Sequence, residues 1–304
     1  MRAVSVSRFG GLDALQVIRR EVPQPRNDEV LLRVHALGIN PLDWKLRGGD
    51  AFRDHFGVPP FVPGWDVSGE VVETGGRVTE FEPGAAVFGL LNFPAPAGGY
   101  AEYVSAPARE LVRKPDALDH HSAAALPLAG LAAWQALFGE GRLSTGQRVL
   151  IHGAAGGVGH LAVQLAKRHG ATVVASASGR NLEYLRGLGA DETIDYTVDQ
   201  PFANLDWVDV IVDAGGCRDN EQLLASLVRW GRYIVLCGQR SPSPRLQYLK
   251  LRPDLRTLGS LADMAADGSL QLTVTTVPSL EGIVQAHTMS ESGHVRGKIV
   301  VTVR

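Results

Sequence analysis

Hydrophobic and polar positions follow two patterns along the chain. Up to about residue 118, apolar residues come in short runs rich in Val, Ile and Tyr, and Pro, Gly, Asp and Asn punctuate them. That pattern predicts strands at 2–7, 15–20, 30–36, 67–74, 85–88 and 100–105, as in a small β-barrel or sandwich. Residues 119–137 are Ala- and Leu-rich and predict a pair of boundary helices. From Arg148 the period alternates. Strands are predicted at 148–154, 171–178, 192–196, 208–215 and 232–238, and helices at 158–169, 181–188 and 220–230. Residues 239–250 read as irregular. A helix at 251–266, a strand at 270–277, a helix at 280–292 and a strand at 298–303 follow. Alternating strands and helices at this spacing imply a parallel sheet with helices on both faces.

Composition adds one feature and removes several options. The 304 residues hold 35 Gly and 17 Pro, a surplus without the period of collagen. Lys and Arg number 30 against 32 Asp and Glu. There is no basic field of the kind nucleic acids recruit, so no nucleic-acid partner is expected. No apolar run approaches roughly 18 residues, so no membrane span is expected. The start lacks the apolar stretch of a signal peptide. The two cysteines, Cys217 and Cys237, suit neither a disulfide framework nor a four-thiolate zinc site. A reduced, cytoplasmic setting is the expectation.

The sharpest motif is Gly153-Ala154-Ala155-Gly156-Gly157-Val158-Gly159. It follows an apolar strand and opens a helix, the context in which a glycine fingerprint binds a dinucleotide. Ala154, Gly156 and Gly159 fall on the fingerprint spacing. Gly156 would let the backbone approach a pyrophosphate, and the helix N-terminus would favour its charge. A tight strand–helix turn without ligand is the plainer alternative. An NAD site usually carries a carboxylate at the end of the second strand. Here that strand ends Ala175-Ser176-Ala177-Ser178-Gly179-Arg180. Ser176, Ser178 and Arg180 stand where a 2′-phosphate would fall, and a hydrogen bond to a charged group is worth about 1.5–3 kcal/mol. The expected cofactor is NADPH, unless Arg180 is a solvated helix-start residue.

Five segments occur in order: Gly38-Ile39-Asn40-Pro41-Leu42-Asp43-Trp44, Pro63-Gly64-Trp65-Asp66-Val67-Ser68-Gly69, Gly98-Gly99-Tyr100-Ala101-Glu102-Tyr103, the glycine loop, and Gly293-His294-Val295-Arg296-Gly297-Lys298. Together they resemble the zinc-free quinone oxidoreductases (zeta-crystallin-like) of the medium-chain dehydrogenase/reductase superfamily, over nearly the whole chain. The resemblance implies an α/β protein with a GroES-like β-barrel domain, 1–118 and 269–304, and an inserted Rossmann domain, 119–268, with substrate in the cleft between them. It also implies a homodimer. The stretch after Gly238 is shorter than in relatives, and residues 247–251 are left to supply an edge strand.

Zinc-dependent relatives carry a Cys where this chain has Asn40 and a His where it has Trp65, and their third ligand has no counterpart. No metal is expected. Hydride transfer without a Lewis acid suits an acceptor that is already electrophilic, such as a quinone or an α,β-unsaturated carbonyl. The resemblance makes Asn40 a donor near the nicotinamide or the substrate oxygen, and Tyr100 a weak acid or a wall. Asp43 reads as a loop organiser. Trp44, Phe52, Trp65 and Phe93 would stack on a flat acceptor or pack in the core. Tyr196 would lie beside the adenosine phosphate or pack at a strand end. Ala214, Gly215, Cys237 and Gly238 sit at strand ends, where open sheets bind ligands. Lys298 would lie near the cofactor or be a surface lysine. The expected activity is NADPH-dependent reduction of a quinone or enone. The alternative is a non-catalytic NADPH-binding sensor or crystallin-like structural protein.

Overall fold

The alternation expected from Val30 to Ala36 extends to a strand of 11 residues, Glu29–Ile39. The computed structural model describes residues 1–51, 53–217, 220–237 and 243–304. The chain forms two units: Met1–Leu128 with Arg252–Ser269 and Val274–Arg304, and Ala129–Leu251 with Leu270–Thr273.

In the first unit, Glu29–Ile39 is the axis of a sheet. Its order is Val274–Val277, Lys298–Thr302, Glu29–Ile39, Asp66–Thr74, Ala86–Leu90 and Leu111–Arg113, and Tyr103–Pro107 also pairs with Glu29–Ile39. The pairing is antiparallel except between Val274–Val277 and Lys298–Thr302. Val30, Leu32, Val34 and Leu37 pack with Val67, Val71, Val87, Ile299 and Val301 in one core. A hairpin of Arg2–Val6 and Leu15–Arg19 joins that core.

The strand pattern did not show the helix Pro41–Gly48. Its start is nonetheless encoded. Asn40 is extended, Pro41 opens the first turn, and the Asp43 carboxylate accepts the Asn40 N–H at 2.7 Å. Pro is preorganised for the first helical position, and a third-residue carboxylate satisfies an orphan donor. Gly49, at φ 87°, ends the helix in the left-handed region.

The first compact unit includes two further helices. The helix His120–Ala125, capped by Asp119 on the Ser122 N–H at 2.7 Å, belongs to the first unit. Ala124 and Ala125 pack on Ala36 and Val300, and His121 Nε2 meets Thr302 Oγ1 at 2.9 Å. Helix Leu255–Ala266 packs on Leu111–Arg113 and also joins the first unit.

In the second unit, the described residues form a six-stranded parallel sheet ordered Glu192–Asp195, Thr172–Ala177, Arg148–His152, Val208–Asp213, Leu227–Val235 and Leu246–Tyr248. Numbered along the sheet this is 3-2-1-4-5-6, the doubly wound order, whose ligand position is the carboxyl ends of the first and fourth strands. Two expectations change. The helix expected over 220–230 stops at Ser226, and Leu227 already pairs with Val208 in the sheet, so Trp230 is an exposed strand residue. Residues 270–273 are not strand. They pack along helix Gly159–Arg168, where Gln164 exchanges two hydrogen bonds with the Gln271 backbone at 2.9 and 2.8 Å.

Candidate functional site

The glycine loop leaves Arg148–His152 with Gly153 at φ 72°, a conformation that a Cβ would strain. A Cβ on Gly153 would lie 2.6 Å from Gly215 Cα, and one on Gly159 would lie 2.4 Å from Gly153 O. Those two glycines are required by the protein's own packing. Gly156 is different. A Cβ there would meet nothing nearer than Gly153 O at 3.4 Å. Its face is therefore open, and a ligand can approach the backbone.

The carboxyl ends of the neighbouring strands converge on this loop. Ala154 N–H donates to Ser176 O at 3.0 Å, and Ala214 N–H to His152 O at 3.0 Å. Cys237 Sγ donates to Ala214 O at 3.2 Å. Tyr196 packs its ring on His152, centroids 5.4 Å apart. The structure thus gathers Gly153–Gly159, Ser176, Tyr196, Ala214, Gly215 and Cys237. Gly238 lies outside the described residues. Arg180 is exposed on the turn Gly179–Asn181, next to Ser178, whose hydroxyl accepts from Asn181 at 3.0 Å.

The Ser176 hydroxyl is buried and bonds His152 Nδ1 at 2.8 Å, so it supports the loop from beneath. Two carboxylates went unread in the sequence. Asp213 gathers the N–H groups of Gly215, Gly216 and Cys217 at 3.1, 2.7 and 3.0 Å and so folds the strand end. An Asp directly before Ala-Gly-Gly was the available signal. Asp195, from the next strand, stands beside Gly179, with one oxygen on the Thr197 N–H and hydroxyl.

A second polar constellation lies inside the first unit. Asn40 is 1% exposed. Lys298 Nζ donates to Asn40 Oδ1 at 2.6 Å and to Ile39 O at 2.9 Å, and pairs with Asp66 Oδ2 at 3.3 Å. Asn40 Nδ2 donates to Asp66 Oδ2 at 2.9 Å, and Asp66 Oδ1 accepts the Leu128 N–H at 3.0 Å. Burial raises the Asp66 carboxyl above the usual range, against the pull of Lys298. Lys298 is therefore not a surface lysine; it anchors the Asn40 amide. A cation on the amide oxygen draws charge from the amide and strengthens its remaining N–H as a donor.

Tyr100, expected as an acid or wall, is 0% exposed. Arg47 Nη1 meets His287 Nδ1 at 3.1 Å, and His287 Nε2 meets Tyr100 Oη at 3.2 Å. Arginine only donates, so Nδ1 accepts and the neutral ring donates from Nε2 to the phenol. Burial holds His287 at about 3. The hydrogen bond to His287 holds the phenol in place inside the first unit.

Asp43 sits beside that phenol, and Tyr100 lowers its proton affinity. Burial wins, pushing the carboxyl up to about 7. Among the described residues, Asp43 Oδ1 is buried with no hydrogen-bond partner of its own. A carboxyl raised in the folded state holds a proton that the unfolded chain releases, so its contribution falls as pH rises from the unfolded value toward about 7. Asp43→Asn keeps an acceptor for the Asn40 N–H and cannot ionise. Urea unfolding should show this variant gaining about 2 kcal/mol on the wild type between about pH 5 and about pH 7. A pH-independent difference would contradict the buried acid.

The aromatic expectations divide. Trp65 is 0% exposed, donates Nε1–H to Ala95 O at 3.0 Å, and packs on Phe56 and Phe93 at 5.6 and 5.4 Å. Its buried ring is packed among aromatic neighbours. Phe93 is half-buried on its edge. Trp44 is half-buried, Lys45 lies 5.5 Å over its ring, and its Nε1 has no partner among the described residues. Phe52 lies outside the described residues.

The donor set at the zinc position does not suit a metal. Asn40 offers an amide already held by Lys298 and Asp66, and Trp65 offers no ligand atom. Among the described residues, no three His, Cys, Asp or Glu side chains are placed to hold one. No helix among them is long and apolar enough to cross a membrane.

Comparison with known proteins places this geometry. Residues 26–116 match the Alcohol dehydrogenase GroES-like domain family, and residues 188–301 the Zinc-binding dehydrogenase family. The chain is 32% identical to the chloroplast envelope quinone oxidoreductase homolog of Arabidopsis thaliana, over 99% of this chain and 98% of that one. It is 34% identical to the chloroplastic NADPH-dependent alkenal/one oxidoreductase of the same plant, over 99% and 79%. A solved quinone oxidoreductase from Coxiella burnetii superposes with a TM-score of 0.91 at 34% identity, covering 100% of this chain and 99% of that one. With its GroES-like and doubly wound units, the chain belongs to the quinone oxidoreductases of the medium-chain dehydrogenase/reductase superfamily and is an oxidoreductase that uses a nicotinamide cofactor.

Proposed function

We propose that the protein is an NADPH-dependent, zinc-independent reductase of quinones or α,β-unsaturated carbonyls. The observation that carries this reading is the open backbone face at Gly156, set on the first and fourth strand ends with Arg180 on the adjoining turn. The residues fit the cofactor: Gly153–Gly159 would hold its diphosphate, Ser178 and Arg180 its 2′-phosphate, Tyr196 its adenosine end, and Ala214, Gly215 and Cys237 would line its ribose and carboxamide. The name of the alkenal/one oxidoreductase supports both NADPH and an enone acceptor.

Bound there, the cofactor supplies a hydride from its nicotinamide ring. The chain's own residues bind and orient. Asn40, its amide oxygen held by Lys298, would offer its remaining N–H to an acceptor's oxygen and stabilise charge developing there. Asp43 holds the Asn40 backbone, and Tyr100 and His287 fix the surrounding core. Trp44 and Phe93, both half-buried, would be the aromatic side chains to meet a flat acceptor.

The test is NADPH consumption with a quinone and with a simple enone, in wild type and Arg180→Ala. Turnover with either acceptor is expected. The variant should lower the NADPH-to-NADH efficiency ratio about 10- to 150-fold. Tight binding without turnover across the panel would favour a non-catalytic NADPH-binding protein, and an unchanged ratio would remove Arg180 from the site. We also expect a homodimer through the sheet's last strand, Leu246–Tyr248.

A further inference from the structure

His160 stands in the first turn of the helix Gly159–Arg168 and is 0% exposed. Its Nδ1 lies 2.9 Å from Gly156 O. A carbonyl can only accept, so Nδ1 carries the proton. The other nitrogen, Nε2, faces the Thr273 N–H at 3.5 Å and is the acceptor. The geometry thus places the hydrogen on Nδ1. One turn on, Gln164 pairs with the Gln271 backbone and donates to His160 O at 2.9 Å. Two side chains of one helix therefore clamp residues 271–273, and one of them reaches back to the glycine loop.

Gly156 O also accepts the His160 N–H at 3.1 Å. In a planar trans peptide the carbonyl and the next N–H point in opposite directions. Holding Gly156 O from the helix side therefore turns the Gly157 N–H outward, away from the helix. A phosphate at this loop would be met by that N–H.

We propose that His160 is a positioning residue for the cofactor: its Nδ1–H pins the Gly156–Gly157 peptide in the orientation that presents an N–H to the diphosphate. This rests on the cofactor reading above. The role belongs to Nδ1, so the two amide replacements separate it from simple core filling. The Asn amide reaches where Nδ1 stands, and the Gln amide reaches where Nε2 stands. His160→Asn can keep the loop bond. His160→Gln loses it while keeping a polar group toward Thr273.

The experiment is NADPH titration by tryptophan fluorescence, with deuterium exchange of the loop amides measured on the same proteins without cofactor. His160→Gln should weaken binding about three- to tenfold and speed exchange in residues 153–159. His160→Asn should stay within about twofold of wild type in affinity, with slow loop exchange. Gln164→Ala should lower the unfolding midpoint with affinity unchanged. Equal affinity and equal exchange in the Gln and Asn variants would overturn the assignment of His160. Wild type without NADPH affinity would instead overturn the cofactor reading, and this one with it. If His160→Gln does not fold, faster loop exchange in His160→Ser relative to His160→Asn supports the assignment, and equal exchange overturns it.

Discussion

Lys298→Met is expected to cost about 3–5 kcal/mol of stability. Lys298 and Asp66 are 3% and 0% exposed and 3.3 Å apart. Removing the cation leaves the carboxylate buried with only the Asn40 amide and the Leu128 N–H as partners. An uncompensated buried charge is far more costly than a buried pair is helpful. The burial that already raises the Asp66 carboxyl then acts without its main opponent, so the group takes up a proton. Urea unfolding should show a large drop for the single variant. The Lys298→Met/Asp66→Asn double variant should recover a good part of it, because both charges are then gone. Activity should not recover with stability, because the Asn40 oxygen has lost its cation in both proteins. A single variant as stable as wild type would contradict the buried pair. A double variant with full turnover would contradict the role given to the polarised amide.

Gly159→Ala is the second large expectation. Its Cβ would lie 2.4 Å from Gly153 O and 2.6 Å from Ala154 Cα, both backbone atoms of the loop. Backbone cannot rotate aside as a side chain can, so the loop must move away from the helix. Overpacking of this kind costs about 1–3 kcal/mol. Expressed in the cofactor-binding geometry, that is a weakening of roughly 5- to 150-fold in NADPH affinity. Gly156→Ala is the informative partner. The protein leaves space for its Cβ, so folding should be little affected while NADPH binding falls. Calorimetric titration of both variants, alongside their unfolding midpoints, separates a loop displaced by the protein from a face blocked toward the ligand. An alanine at 156 that leaves affinity intact would contradict a cofactor approaching that face.

The parts of the molecule legible in the sequence were those where backbone geometry restricts residue type. Gly153 and Gly159 can be nothing larger without displacing the loop, and the parallel strands around them are apolar runs between turn residues. Asn40, Asp43 and Lys298 were also picked out, but their contacts were not. Lys298 meets Asn40 across 258 positions and Asp66 across 232, and no local period records such a meeting. The same distance hid His287 behind Tyr100, 187 positions apart. The partner of the Ser176 hydroxyl, His152 on the adjacent strand, is likewise set by sheet pairing and not by local spacing. The run 220–230 reads as one helix because its apolar spacing is helical as far as Leu227, where pairing with Val208 overrides local preference. Pro41-Leu42-Asp43 hid a helix among strands because it is short and its start is a single capping arrangement.

The central claim is that this chain passes a hydride from bound NADPH to a quinone or enone without help from a metal. The most direct measurement is a single turnover. NADPH bound to excess chelator-treated protein is mixed with 9,10-phenanthrenequinone, or with an enone, and the loss of reduced nicotinamide is followed. One acceptor should be reduced per NADPH, with the step slowed by deuterium at one of the two C4 positions and not at the other. NADPH that stays bound and reduced with every acceptor, or oxidation that appears only when zinc is restored, would contradict it.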